Sequence, residues 1–183
     1  MRIIAGDMRS RKLKAPEGND TRPTADRVKE ALFSILLNRL YGARVLDLYG
    51  GSGALALEAV SRGAGSAVIN DQAMKACRVI RENIDALGCR NKVKLLQMRD
   101  TAAIDALEGS GDQFDLVFLD PPYKMDTAPI CARIERKLLA EGGMIVVEHA
   151  RETPPEVGLP LMLQSRREYG ITGLSFFARA KEE

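Results

Sequence analysis

Two turns hold most of the residues in this sequence that could do chemistry. In the first, the apolar run Val45 to Leu48 carries Asp47 and stops in Tyr49-Gly50-Gly51-Ser52-Gly53. Glycines at these positions let the backbone turn tightly and bring a ligand close to main-chain N–H groups, because no Cβ intervenes. In the second, Val117-Phe118-Leu119 ends in Asp120-Pro121-Pro122-Tyr123. Consecutive prolines fix φ and donate no hydrogen bonds, so their carbonyls stay available as acceptors in a rigid loop. Asp120 adds another acceptor, and Tyr123 adds a flat face on which a base can stack, worth about 1–3 kcal/mol. Such a loop suits a planar ring bearing an amine whose hydrogens must be held.

The glycine turn is compatible with two cofactors. Gly51-x-Gly53-x-x-Ala56 fits the dinucleotide fingerprint, and Asp71 lies near the distance of a ribose-binding acid. Asp47 favours the other choice. An acid at the end of the strand repels a pyrophosphate but meets the ammonium and sulfonium of S-adenosyl-L-methionine. Its alternative role is to cap the turn.

The remaining reactive residues narrow the chemistry. Cys77, Cys89 and Cys131 are odd in number and form no C-x-x-C, so neither a disulfide framework nor a zinc site is indicated. The only histidine, His149, follows the apolar run Met144 to Val147 and is read as structural, with no metal expected. A net charge of +2 leaves any nucleic-acid affinity to local clusters. One such cluster is Arg9, Arg11, Lys12 and Lys14 near the N-terminus, readable as a solvated edge or as a phosphate-contacting arm. No segment reaches the ~20 apolar residues of a membrane span, and no signal peptide is apparent, so a cytoplasmic location is expected.

These residues need a scaffold, and the chain alternates regularly enough to supply one. A basic hairpin of two short strands opens it. A helix follows Arg22-Pro23-Thr24, with Thr24 as N-cap and Val28, Ala31, Leu32, Ile35 and Leu36 on its apolar face. Strands are then expected at 44–48, 67–70, 92–98, 115–119 and 143–148. Helices are expected at 54–62, 73–87, near 101–107 and at 127–139. Such alternation means a parallel sheet covered on both faces, in an α/β domain spanning 1–183. Ligands bind beyond the carboxyl ends of the strands, where Asp47, Asp71, Asp100 and Asp120 all fall. Beyond Val147, segments 159–163 and 173–178, joined by a charged turn, read as an antiparallel hairpin closing the sheet.

The chain resembles the S-adenosylmethionine-dependent N-methyltransferases that carry an (Asn/Asp)-Pro-Pro-(Tyr/Phe) loop. Met1-Arg2-Ile3-Ile4-Ala5-Gly6, Arg9-Ser10-Arg11-Lys12-Leu13, Arg22-Pro23-Thr24 and Asp26-Arg27-Val28-Lys29-Glu30-Ala31-Leu32-Phe33 are similar to the RsmD-type 16S ribosomal RNA guanine-N2 methyltransferases. The resemblance implies a class I, Rossmann-like fold with a mostly parallel seven-stranded sheet. It also implies methylation of the exocyclic amine of a guanine, guanine 966 in rRNA numbering, within a partly or fully assembled small ribosomal subunit. By the same resemblance Asp47, Tyr49, Gly50, Gly51, Ser52 and Gly53 would hold the methionine end of the cofactor. Asp71 and Gln72 would hold the ribose, Asp100 and Thr101 the adenine, and Asp120, Pro121, Pro122 and Tyr123 the target base. Arg9, Arg11, Lys12, Lys14 and Arg22 would contact RNA. The chain departs from the family pattern in having Tyr49-Gly50 where Phe-Ala is more usual, Ser10 where glycine is usual, and Ala73 where a further acid is common. A nicotinamide-dependent oxidoreductase and a non-catalytic RNA-binding factor are the competing readings; neither gives both turns a role.

Overall fold

The computed structural model describes residues 1–16, 23–122 and 125–180. Arg22, Tyr123 and residues 17–21 lie outside them. Helix α1 (Pro23–Ile35) is followed by a 3-10 turn at Leu37–Arg39. The Rossmann-like run then comprises β1 (Arg44–Asp47), α2 (Ala54–Ser61), β2 (Ser66–Asn70), α3 (Met74–Leu87), β3 (Val93–Leu96), α4 (Asp100–Gly109), β4 (Phe114–Leu119), α5 (Ala128–Lys137) and β5 (Leu139–Ala150). The chain closes with β6 (Leu161–Tyr169) and β7 (Thr172–Arg179). The seven strands lie in the order β3-β2-β1-β4-β5-β7-β6, with the first five parallel and β7 and β6 antiparallel.

Residues of the central strands alternate between two cores, as the two-residue repeat of a strand requires. Val45, Phe118 and Val146 pack on one face with α1, α2 and α3; Leu46, Leu119 and Val147 pack on the other with α4 and α5. Asp47, Asp120 and Glu148 follow the parity of the first group. The sheet therefore carries three acids on one face at its carboxyl-end rim.

Several boundaries differ from the sequence-based expectation, each for a physical reason. Helix α1 starts at Pro23, where a missing N–H costs nothing, so Thr24 is not its cap. Its buried face is Val28, Leu32, Phe33 and Leu36, while Ile35 is 40% exposed. Phe33 turns inward because its ring meets Phe118 edge-on, centroids 5.9 Å apart. The charged stretch 164–168 is not a turn but the continuation of β6, whose outer edge is unpaired. Charge on an edge strand is tolerated and discourages further pairing. Strand β5 begins earlier than expected because Leu139 already pairs with Phe114, before a register shift.

The N-terminal segment forms a single bridge, Arg2 to Lys12, instead of a two-stranded hairpin. Side chains of the following helices hold it in place. Glu58 on α2 is fully buried and accepts the Ile4 and Ala5 N–H groups at 2.8 and 3.0 Å. Lys29 and Arg62 compensate its charge at 3.4 and 2.7 Å. Ser61 bonds the Met8 N–H and the Ala5 carbonyl. On α3, the amide of Asn83 exchanges hydrogen bonds with the Lys14 main chain and donates to the Ser52 carbonyl at 2.9 Å. One residue thus ties the N-terminal segment to the glycine turn.

Candidate active site

Strand β1 delivers Asp47 into the interior, where it is 1% exposed and its Oδ1 has no hydrogen-bond partner among the described residues. Burial, then the charge of Asp120, raises its carboxyl to about 7, against the opposing pull of the Ala56 N–H. An unpartnered buried carboxylate oxygen is costly unless a donor or a cation meets it. Asp47 thus has a buried oxygen free to meet a donor or a cation, beyond any capping of its own turn.

The glycines have different functions. Gly51 and Gly53 adopt φ of 57° and 78°, in the left-handed region, and a Cβ on Gly51 would meet nothing within 4 Å. Open space therefore lies beside Gly51. A Cβ on Gly50 would come 2.4 Å from Ile69 Cγ2, so that glycine serves helix and strand packing instead. Ser52 departs from its expected role. It is buried, its hydroxyl reaches Met1 Sδ and its carbonyl accepts from Asn83, which makes it a support for the turn.

The acids after β2 and β3 frame the next part of the rim. Asp71 accepts the Gly51 N–H at 2.9 Å and the Ala73 N–H at 2.8 Å. It fastens the turn to the end of β2 while retaining lone pairs for ligand hydroxyls. Gln72 and Thr101 have exposed side chains. Tyr49 donates its hydroxyl to Asp100 at 2.8 Å, and Asp100 also accepts the Thr101 N–H at 2.7 Å, at the start of α4. Burial, followed by the Asp100 hydrogen bond, pushes the Tyr49 hydroxyl far above its usual range, so it stays a donor. Phenylalanine at this position would leave Asp100 Oδ2 without this donor.

Asp120 follows β4 and immediately precedes Pro121, which with Pro122, Met125, Thr127, Glu148 and His149 lines an open cleft of about 690 Å³. Asp120 is exposed to solvent, although protein surrounds its carboxyl on most sides. That partial desolvation raises its carboxyl to about 6. The Pro122 carbonyl is spent on the Met125 N–H at 2.9 Å, which leaves Pro121 as the proline acceptor. His149 is structural as expected: Nδ1 bonds the Ala150 carbonyl, Nε2 bonds Ser175 Oγ, and burial lowers its pKa. Sequence reasoning passes over Glu148, although it too is an acid at the carboxyl end of a parallel strand.

The N-terminal cations divide into two pairs. Arg11 donates to the Ala86 carbonyl at the end of α3, and Lys14 pairs with Glu82 at 2.9 Å. Arg9 and Lys12 are exposed and make no ion pair among the described residues.

A parallel α/β sheet ending in an antiparallel pair, with an acid and a glycine turn after β1, is the class I methyltransferase fold. The family described as Conserved hypothetical protein 95 matches residues 1–178. YlbH of Bacillus subtilis is 35% identical over 182 residues, 98% of this chain and 99% of that protein. Ribosomal RNA small subunit methyltransferase D of Escherichia coli K12 is 33% identical over 162 residues, covering 87% of this chain and 78% of its own. The solved structure of yhhF from Escherichia coli superposes with a TM-score of 0.84 at 30% identity, covering 100% and 99% of the two chains. The chain belongs to this RsmD-type methyltransferase family.

Proposed function

We propose that this protein transfers a methyl group from S-adenosyl-L-methionine to the exocyclic N2 amine of a guanine in 16S ribosomal RNA, with guanine 966 as the expected target. The observation that carries the reading is Asp47, whose buried and unpartnered carboxylate oxygen lies at a glycine turn. A dinucleotide would bring a pyrophosphate toward that acid, which disfavours the oxidoreductase alternative. The names of the relatives support RNA of the small subunit as the partner, partly or fully assembled into its particle. Action in the cytoplasm follows from that substrate.

The cofactor, when bound, supplies an electrophilic methyl on a sulfonium. Asp47 holds its ammonium, Asp71 its ribose hydroxyls, and Asp100, steadied by Tyr49, its adenine amine. Gly51 leaves room for the methionine end. Asp120 and the Pro121 carbonyl accept the two hydrogens of the guanine amine and direct its lone pair at the methyl. Tyr123 stacks on the base. During transfer the Asp120 carboxylate would stabilise the positive charge that develops on the amine, and the proton the amine must lose would pass to water at the open cleft. Fixing two reactants in this way can supply about 7–11 kcal/mol of a barrier. The base must leave its stack to reach the cleft. Arg9, Lys12 and Arg22 contact phosphates.

The test compares Asp120→Asn with Asp120→Ala in single-turnover methyl transfer to small-subunit RNA or particles, at saturating cofactor. Asn keeps the acceptor and should retain measurable activity. Ala should lose at least the ~10²-fold typical of removing one electrostatic stabiliser. Full activity of the Ala variant would place the chemistry elsewhere. Tight NAD binding without S-adenosylmethionine binding in calorimetry would refute the cofactor assignment.

A further inference from the structure

Glu148 is an acid the mechanism above does not use. Leu119 pairs with Val147 in the parallel β4–β5 ladder, so the next residues, Asp120 and Glu148, stand side by side at the two strand ends. Both have the parity of Phe118 and Val146 and lie on the face of the sheet that also carries Asp47. Glu148 is half-buried, lines the cleft with Pro121 and Pro122, and has no hydrogen-bond or ion-pair partner among the described residues. Its neighbour across β7 is the apolar Leu174. The fold has placed an unpaired carboxyl next to the group proposed to hold the amine.

Resting on the guanine reading above, we propose that Glu148, as the neutral acid, binds the N1–H/O6 edge of the target guanine and so selects the base. A carboxylic acid and a lactam are complementary: the acid carbonyl accepts N1–H while its hydroxyl donates to O6. Guanine presents N2, N1 and O6 in a row along one edge. Asp120 and Glu148, adjacent along the rim, take the amine and the lactam respectively. Adenine offers no N1–H, and its amine stands where guanine has O6.

The protonation states suit this division. Burial raises both carboxyls above the usual carboxylate range, and the charge of Asp120 raises Glu148 further. Two adjacent carboxylates resist ionising together, so the pair keeps a proton near neutral pH, and Glu148, the less exposed of the two and beside the apolar Leu174, is the better place for it. The other titratable groups lining the cleft are Asp126 before α5, His149 on β5 and Glu156 before β6, and Asp47 on β1 lies buried within reach of the charge of Asp120. All but the histidine are acidic, and His149 is held neutral by burial. Apart from burial, it is the charge of Asp120 that favours the neutral form of Glu148.

The experiment measures kcat/KM for wild type, Glu148→Gln and Glu148→Ala between pH 6.5 and 8.5. The substrates are RNA carrying guanine and the same RNA carrying 2-aminopurine, which keeps the N2 amine but lacks N1–H and O6. Glutamine reproduces the neutral acid, with an acceptor for N1–H and a donor for O6. It should keep activity on guanine within about threefold and show no alkaline decline, whereas wild type declines as Glu148 ionises. Ala should lose about 100-fold on guanine, as expected for two buried hydrogen bonds, while S-adenosylmethionine affinity stays within a few-fold. Replacing guanine by 2-aminopurine removes the same two hydrogen bonds, so it should cost wild type and Gln a comparable loss of about 100-fold and cost Ala nothing further. The proposal is overturned if Gln is as impaired as Ala, or if the 2-aminopurine penalty persists in Ala. A wild type that methylates no guanine N2 would instead refute the underlying function.

Discussion

Replacing Asp47 by Asn should make the cofactor-free protein more stable at neutral pH while impairing cofactor binding. Asn preserves shape but removes a buried charge. The folded-state carboxyl is raised from 3.8 to about 7, so the native protein holds a proton that the unfolded chain releases. A raised folded-state pKa stabilises below the unfolded value, and that stabilisation is lost as pH rises through the folded value. Roughly three pH units set a ceiling of about 4 kcal/mol on the difference. Because Asp120 contributes to the shift and relaxes when Asp47 is neutral, we expect a gain of about 2 kcal/mol. Urea unfolding of both proteins between pH 4 and 8 reads this directly. The stability difference should grow from pH 4 to 7 and then level off. A flat profile, or an Asn variant less stable at pH 8, would refute the reasoning. Calorimetry should show S-adenosylmethionine affinity falling by about 1.5–3 kcal/mol, the worth of a hydrogen bond to a charged group.

Glu58→Gln should destabilise by about 3–5 kcal/mol, because it leaves the Lys29 ammonium buried without its counter-charge. Hydrogen exchange at Ile4 and Ala5 should accelerate, and unchanged protection there would count against the anchoring role of Glu58. Ser10 holds φ at 67° without being glycine, so Ser10→Gly should stabilise by about 1 kcal/mol, the left-handed penalty less the glycine entropy cost. A lower midpoint in urea would contradict it. Neutralising Arg9 and Lys12 should flatten the salt dependence of RNA binding by about 0.7 in log–log slope for each phosphate left without its cation. Neutralising Arg11 and Lys14 should reduce helix and arm anchoring as well, visible in thermal unfolding, and an unchanged RNA slope in the first pair would reduce the arm to a solvated edge.

What could be read in the sequence was what depends on neighbouring residues. Asp47 with Gly51 and Gly53 declared itself because a strand, an acid and a tight turn are contiguous. The five parallel strands were legible for the same reason, through apolar runs separated by helical periods. Glu58 was not, since it reads as an ordinary surface acid on α2 until Ile4, Ala5 and Lys29 arrive from segments far away in the chain. Glu148 was hidden by the histidine after it and by the need to know that β4 and β5 are neighbours in this register. Phe33 and Ile35 exchange their expected positions because Phe118, 85 residues from Phe33, decides which ring or branch is buried. Gly50 looked like part of the ligand turn, yet its absent side chain makes room for Ile69.

Asn83 carries a further implication for how this sequence can drift. Asparagine is a mediocre helix former, and in mid-helix it would ordinarily be exchanged for alanine or leucine with a gain in local propensity. Here one amide supplies an acceptor to the Lys14 N–H and donors to the carbonyls of Lys14 and Ser52. Aspartate would turn an acceptor toward two carbonyl oxygens, glutamine would overreach by a methylene, and an apolar residue would strand all three main-chain groups. The position is therefore closed to single-step replacement by constraints lying 31 and 69 residues away. A sequence comparison confined to α3 would see a suboptimal residue held in place without visible cause.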